Sequence, residues 1–385
     1  MKFSLFMMPC HHPDENPTLA FQRDIELIHL VEKLGFDEAY IGEHHTGGWE
    51  TMPAPEMALA MAAAKATRIR LGTSVFSAPF HHPFYLAERM CFLDHLTHGR
   101  AILGVGPCSL VTDKMLFNME EANLYPMLHE AIEVIVRLLE TDEPISHRGE
   151  FWQFDDMRLQ LKSYQQPRLP LALPSASTPA NLELIGRHDM IWMSPAGKTR
   201  TQPEDNWKHV VRGAKAVGRE ANRGNWRIAT YMHIAETADQ AMDEVRQGIM
   251  REAEYFSAIG LRGHYQQHEG QAFEDFTPES CAEMRDWVIG TPDDAIEWIE
   301  HKMDVTGGFG GLMLTAHEWC DFQKIGRSME MFARYVMPRF TGHNATYQDE
   351  WKRIQEKTKD GKIAYDTGGR PSNLQTYRPT RDAAE

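Results

Sequence analysis

Two adjacent imidazoles stand in the segment Gly42-Glu43-His44-His45-Thr46-Gly47-Gly48-Trp49-Glu50, directly after the short apolar run Glu38-Ala39-Tyr40-Ile41. A histidine changes charge near neutral pH, so it can give or take a proton in a reaction. In a parallel α/β barrel, a residue at the C-terminal end of a strand lies on the face that carries chemistry. Two more histidine pairs, in Pro9-Cys10-His11-His12-Pro13 and Pro79-Phe80-His81-His82-Pro83, follow the first and third apolar runs. The bland reading is that most of these rings pack or face solvent, since His is commonly half buried. A metal site built from His11, His44 and His82 is the sharper rival. Neighbouring histidines on extended chain point to opposite sides, however, so no pair easily gives one ion two ligands.

Two further segments suit a flat, phosphorylated ligand. Gly104-Val105-Gly106-Pro107-Cys108 has the glycines of a nucleotide loop but lacks a third glycine opening a helix and an acidic residue on the next strand, so the dinucleotide fingerprint is absent. A glycine pair there fits close backbone packing or a ring system lying against the chain. Leu173-Pro174-Ser175-Ala176-Ser177-Thr178-Pro179 runs from a strand into a helix. Free N–H groups at a helix start, backed by the hydroxyls of Ser175 and Thr178, form a phosphate site without needing a lysine. Ordinary N-capping explains Thr178 by itself.

These residues need a scaffold, and the hydropathy pattern supplies one. Short apolar runs at Lys2–Met8, Glu38–Ile41, Arg70–Ser74, Ala101–Val105, Leu169–Leu173, Met190–Met193, Arg227–Ile234 and Gly311–Thr315 alternate with helix-period segments. That rhythm predicts an α/β fold with eight parallel strands, a (β/α)8 TIM barrel. Thr18 precedes the helical stretch Leu19–Leu34, Gly35 ends it, and Thr291-Pro292-Asp293 opens another helix. Residues His147–Leu161 read as an inserted β-hairpin. The long polar stretch Gly260–Asp286 reads as a mobile lid. The pattern fades beyond Phe340, dividing the chain into a barrel domain, 1–340, and a C-terminal tail, 341–385.

Composition narrows the function classes. The 385 residues are 42% hydrophobic and 25% charged, with 40 Lys+Arg against 55 Asp+Glu and a formal charge of -15. Such a surface repels phosphate backbones and anionic headgroups, so neither nucleic acid nor membrane is an expected partner. The cysteines Cys10, Cys91, Cys108, Cys281 and Cys320 are odd in number and form no C-x-x-C pair, arguing against a disulfide framework and a thiolate zinc site. Met1–Met8 reads as a buried strand, and no apolar run nears the ~18 residues of a membrane span. A cytoplasmic protein without export is expected.

Taken together, the segments Gly35-Phe36-Asp37, Glu43-His44-His45, Arg70-Leu71-Gly72-Thr73, His82-Pro83, Leu93–Arg100, Gly104-Val105-Gly106, Ser175–Thr178, Gly290-Thr291-Pro292 and Val336-Met337-Pro338 resemble the bacterial luciferase-like family of flavin-dependent monooxygenases. Within it, Asn16–Leu19, Gly42–Glu50 and Phe80–Phe84 are similar to the limonene 1,2-monooxygenase-like group. The resemblance implies reduced flavin, FMN or FAD, delivered by a separate NAD(P)H-dependent flavin reductase. O2 would add to it as a C4a-peroxy species and oxygenate a small apolar substrate, terpene-like, by epoxidation or hydroxylation. It further implies a homodimer, His44 as the catalytic histidine, and a cis peptide between Ser74 and Val75.

On the same footing, Ser74, Val75, Gly106, Ser175, Ala176 and Thr178 would bind the cofactor, with no metal. Gly106 stands where luciferase α subunits carry a reactive cysteine, so thiol modification is not expected to report on the flavin. Met8, Trp49, Phe80, His82 and Trp192 are expected to form the substrate pocket; the alternative for the two tryptophans is core packing. The rivals are an F420-dependent hydride-transfer oxidoreductase of the same fold, the metal-dependent TIM-barrel hydrolase, and a non-catalytic flavin-binding protein.

Overall fold

The computed structural model describes residues 1–197 and 203–360. Its centre is a ring of parallel strands: β1 (Lys2–Met7), β2 (Glu38–Ile41), β3 (Arg70–Thr73), β4 (Ala101–Gly106), β5 (Leu171–Pro174), β6 (Ile191–Pro195), β7 (Trp226–Thr230) and β8 (Gly311–Ala316). Each pairs with the next, and β8 returns to β1 through Gly311 opposite Lys2, which closes the barrel. Closure leaves no open edge, so every backbone group of the ring has a neighbour to bond.

Strand alternation divides the side chains between two cores. Tyr40, Ile102, Ala172, Ile191, Met193 and Met313 fill the lumen, while residues such as Phe3, Leu5, Leu71, Leu103 and Leu173 face the surrounding helices. At the N-terminal end the lumen is sealed by an ion pair. Arg227 Nε and Nη2 lie 3.0 and 3.1 Å from the buried Glu38 carboxylate, which also accepts from Ser4 and Tyr40. Burial would raise the Glu38 pKa, but Arg227 outweighs it and holds the carboxyl at about 2.

Local signals largely set the outer elements. Asn16, rather than Thr18, caps the first helix (Pro17–Leu34), with Pro17 in its first turn and Gly35 ending it at φ 96°. Thr291 and Asp294 form a capping box on the helix Pro292–Thr306. The inserted hairpin pairs Ile145–Arg148 with Gln153–Met157.

Two expectations change. The run Arg227–Ile234 is two strands: β7 stays in the barrel, while Met232–Ile234 leaves it to pair with Val288–Gly290. The stretch Gly260–Asp286 is anchored rather than loose. Tyr265, Phe276 and Cys281 are buried with Trp287 and Trp319 in a second apolar cluster, and the helix Pro278–Arg285 ends the segment. The chain divides at Thr341 into a compact unit, Met1–Thr341, and a second beginning at Gly342, in which the tail forms a helix, Ala345–Lys359, with no buried residue. No helix among the described residues is long and apolar enough to cross a membrane.

Candidate active site

A cavity of ≈ 770 Å³ opens at the C-terminal ends of the strands, where barrel geometry gathers loops from all around the ring. It brings together His44, Ser74, Val75, Ser175, Ala176 and Thr178, with Met8 at its edge. The Ser74–Val75 peptide is cis. Gly106 stands just behind this wall: a Cβ there would come within 2.6 Å of Val75 Cγ2, so only glycine lets β4 approach Val75 so closely.

His44 is held from both sides. Its Nδ1 lies 3.0 Å from Asp113 Oδ2 and its Nε2 3.1 Å from Glu50 Oε2, and both carboxylates are buried. Asp113 sits in the short helix Val111–Leu116 and also accepts from the His45 N–H at 3.1 Å. Burial pulls the His44 pKa down, but the Asp113 hydrogen bond and the Glu50 charge outweigh it and leave it raised. The neighbouring Glu43 faces another way, accepting from Ser77 N at 2.6 Å and facing the rings of His45 and His81. An imidazole on the cavity wall with two carboxylates behind it is equipped to move a proton.

The segment expected to hold a phosphate carries two unengaged hydroxyls. Thr178 caps the helix Pro179–Arg187 in extended conformation, yet its hydroxyl makes no capping bond. The Ser175 hydroxyl is buried without a hydrogen-bond partner. Two idle hydroxyls at a helix N-terminus, on a cavity wall, fit a phosphate. Arg285 lines the same cavity, and no carboxylate pairs with it among the described residues. No sequence signal marks this cation, because Arg285 comes from the end of the polar stretch Gly260–Asp286.

Four of the expected pocket residues lie elsewhere. Trp192 is on the outer face of β6, since alternation sends Ile191 and Met193 into the lumen; it stacks on Trp226 at 4.2 Å and donates to Ser175 O. Trp49 stacks on Tyr255 and lines a separate cavity of ≈ 590 Å³. Phe80 stacks on Phe117 at 4.3 Å. His82 caps the helix Pro83–Leu96, accepting from Phe84 N at 3.2 Å. Cys108 does line the main cavity, two residues after Gly106; burial pushes its thiol up to about 12, so it is protonated at neutral pH.

The three-histidine metal arrangement is not assembled. His11 lies 3.0 Å from Asp24 and 3.1 Å from Glu318, His44 is bound as described, and His82 is a helix cap. His11, Glu15 and Glu318 converge within 4.8 Å, but Arg23 already pairs with both glutamates.

A further buried group lies beyond β8. Glu252 accepts from Tyr265 at 2.6 Å and Trp319 Nε1 at 2.7 Å and pairs with His317, which contacts Tyr231. His317 directly follows β8, so the strand-end rule that picked out His44 also points to it.

The family described as luciferase-like monooxygenase matches residues 1–308. The chain belongs to that family. The luciferase-like chain is 36% identical over 351 residues to 4-hydroxyprotoasukamycin monooxygenase of Streptomyces nodosus subsp. asukaensis, covering 89% of this chain and 93% of that one. It is 32% identical over 343 residues to limonene 1,2-monooxygenase of Rhodococcus erythropolis, covering 88% and 87%. The fold recurs in the oxygenating constituent of 3,6-diketocamphane monooxygenase of Pseudomonas putida, solved in complex with FMN. The TM-score is 0.75 at 22% identity, over 88% of this chain and 98% of that one.

Proposed function

We propose that this luciferase-like chain is the oxygenating component of a two-component, flavin-dependent monooxygenase acting on a small, apolar, terpene-like substrate. The observation that carries the reading is one cavity wall that combines the idle hydroxyls of Ser175 and Thr178 at a helix N-terminus with His44 between two buried carboxylates. The relatives named for monooxygenation of limonene and 4-hydroxyprotoasukamycin, and the FMN complex of the related fold, support the same assignment.

Each residue has a role in this reading. Ser175, Thr178 and the N–H groups after them would hold the phosphate of a flavin nucleotide, with Arg285 as countercharge. The backbone at Ser74–Val75 would lie against the ring system, kept close by Gly106. Reduced flavin supplies the activation of O2 when bound. His44, oriented by Asp113, holds and delivers a proton at Nε2 beside the reacting atoms. Met8, Met193, Met313 and Trp287 give the wall apolar character that excludes water and suits a hydrocarbon-like substrate.

The reading includes an NAD(P)H-dependent flavin reductase as partner, a homodimer, and a cytoplasmic setting. The test is to supply such a reductase, FMN or FAD, and a panel of monoterpenes, cyclic ketones and alkanes under 18O2. One labelled oxygen atom in a product supports the assignment. Substrate reduction or oxidation without oxygen uptake, driven by reduced F420, sinks it in favour of the hydride-transfer rival. Light scattering decides the oligomeric state.

A further inference from the structure

The two carboxylates beside His44 are not equivalent. Asp113 is fully engaged: Oδ2 faces His44 Nδ1, and Oδ1 accepts from the His45 N–H, with the Thr46 hydroxyl at 2.5 Å. Glu50 is not. Its side chain is 1% exposed, its Oε2 makes no hydrogen bond although His44 Nε2 is 3.1 Å away, and its Oε1 has only the Tyr255 hydroxyl at a long 3.4 Å. Its backbone is fixed by a bridge to Cys10, so the carboxylate has little freedom to seek water.

Every element packed on Glu50 offers a poor substitute for a cation. The turn after β2 presents His44, the short helix Val111–Leu116 the anion Asp113, and the helix Ala238–Ala258 the neutral Tyr255. The loop after β1 presents Cys10, its thiol held protonated by burial, and the loop after β8 presents His317, which is committed to Glu252. Asp113 and Glu50 would thus place two negative charges against one imidazole in a region shut off from water. A buried excess charge is costly and is relieved most directly by keeping a proton.

We propose that Glu50 is the proton store of His44: the pair holds one proton, which crosses the 3.1 Å between His44 Nε2 and Glu50 Oε2 when the cavity draws on it. This rests on the oxygenation reading of the cavity. When a basic group forms in the cavity, the Nε2–H bond of His44 breaks and the proton passes to that group. If the shared proton is then on Glu50, its O–H bond breaks first and re-forms N–H on Nε2. Either way one proton leaves the pair, Glu50 ends as a carboxylate beside a neutral His44, and one proton from solvent restores the starting state. Asp113 keeps Nδ1 in place throughout, so Glu50 is a positioning and supplying residue that acts through His44.

The test is 15N NMR titration of the His44 ring in the flavin-free protein, assigned with His44→Gln, in wild type and in the near-isosteric Glu50→Gln. A shared proton makes the wild-type ring titrate in two coupled steps. Glu50→Gln collapses them to one, at a pH lower by about 1–3 units, because the anion that favours imidazolium is gone. The pH dependence of product formed per reduced flavin should lose its upper limb by the same interval, with FMN affinity unchanged. An unaltered His44 titration in a folded Glu50→Gln overturns the proposal, as does a shifted titration with an unshifted product profile. Two-step titration in a wild type that oxygenates nothing supports the shared proton and overturns the oxygenation reading instead.

Discussion

Replacing Ser175 by alanine should stabilise the flavin-free protein while weakening its hold on a phosphorylated flavin. The Ser175 backbone is fixed without help from the hydroxyl: its N–H donates to Met193 O at 2.9 Å and its carbonyl accepts from Trp192 Nε1 at 2.8 Å. The hydroxyl itself is buried and unpartnered. A buried, unsatisfied polar group costs about 1–3 kcal/mol, so deleting it should raise stability by about 1 kcal/mol, or about 1–3 °C in Tm for a domain this large. Rotated onto a phosphate, the same hydroxyl makes a charge-assisted bond worth about 1.5–3 kcal/mol. Its loss should therefore raise the FMN Kd by about 10- to 150-fold. Thermal unfolding of the flavin-free protein measures the first effect and flavin fluorescence the second, with riboflavin, which lacks the phosphate, as control. A destabilised Ser175→Ala, or equal weakening of FMN and riboflavin, would refute the phosphate assignment.

Other parts of the molecule make separate predictions. Arg227→Met leaves Glu38 buried without its main partner and should cost about 3–5 kcal/mol in urea unfolding; an unchanged midpoint would mean the barrel floor does not depend on the pair. Glu38 is held at about 2, below its ordinary 4.5, so its contribution is present above pH 4.5 and fades as pH falls toward 2. Acid unfolding should accordingly move to higher pH in Arg227→Met, and identical acid profiles would contradict the assignment. His11 has the opposite sign. Burial lowers its pKa, but Asp24 and Glu318 outweigh that and raise it from 6.5 to about 9, so its stabilisation is complete below pH 6.5 and lost as pH rises through 9. His11→Gln should flatten stability across that window by about 3 kcal/mol, and a slope that survives the substitution would rule His11 out as its source.

The barrel was legible because its strands, covered on both faces, read as nearly continuous apolar runs with turn signals between them. The same continuity hid which face each residue takes, so Trp192 was assigned to the mouth when it is the outward member of Ile191-Trp192-Met193. It also let β7 run on through Tyr231 into Met232–Ile234, where only the pairing with Val288–Gly290 marks the break. His44 was legible from its place at a strand end. Its partner Asp113 was not, because it arrives from a short helix with no side-chain cap to signal it. Polarity alone made Gly260–Asp286 look loose, whereas the scattered Tyr265, Phe276 and Cys281 tie it down.

The most direct test of His44 as the acid–base group of an oxygenase is to measure product and hydrogen peroxide per reduced flavin consumed in wild type and His44→Ala. His44→Ala should lower product by roughly 10²–10⁴-fold, the range for a positioned acid–base group, while flavin reduction by a supplied reductase continues and the oxygen consumed appears as peroxide. Full coupling in His44→Ala would contradict the account. An equal loss from His45→Ala, with the oligomeric state unchanged, would assign the role to the neighbouring histidine instead.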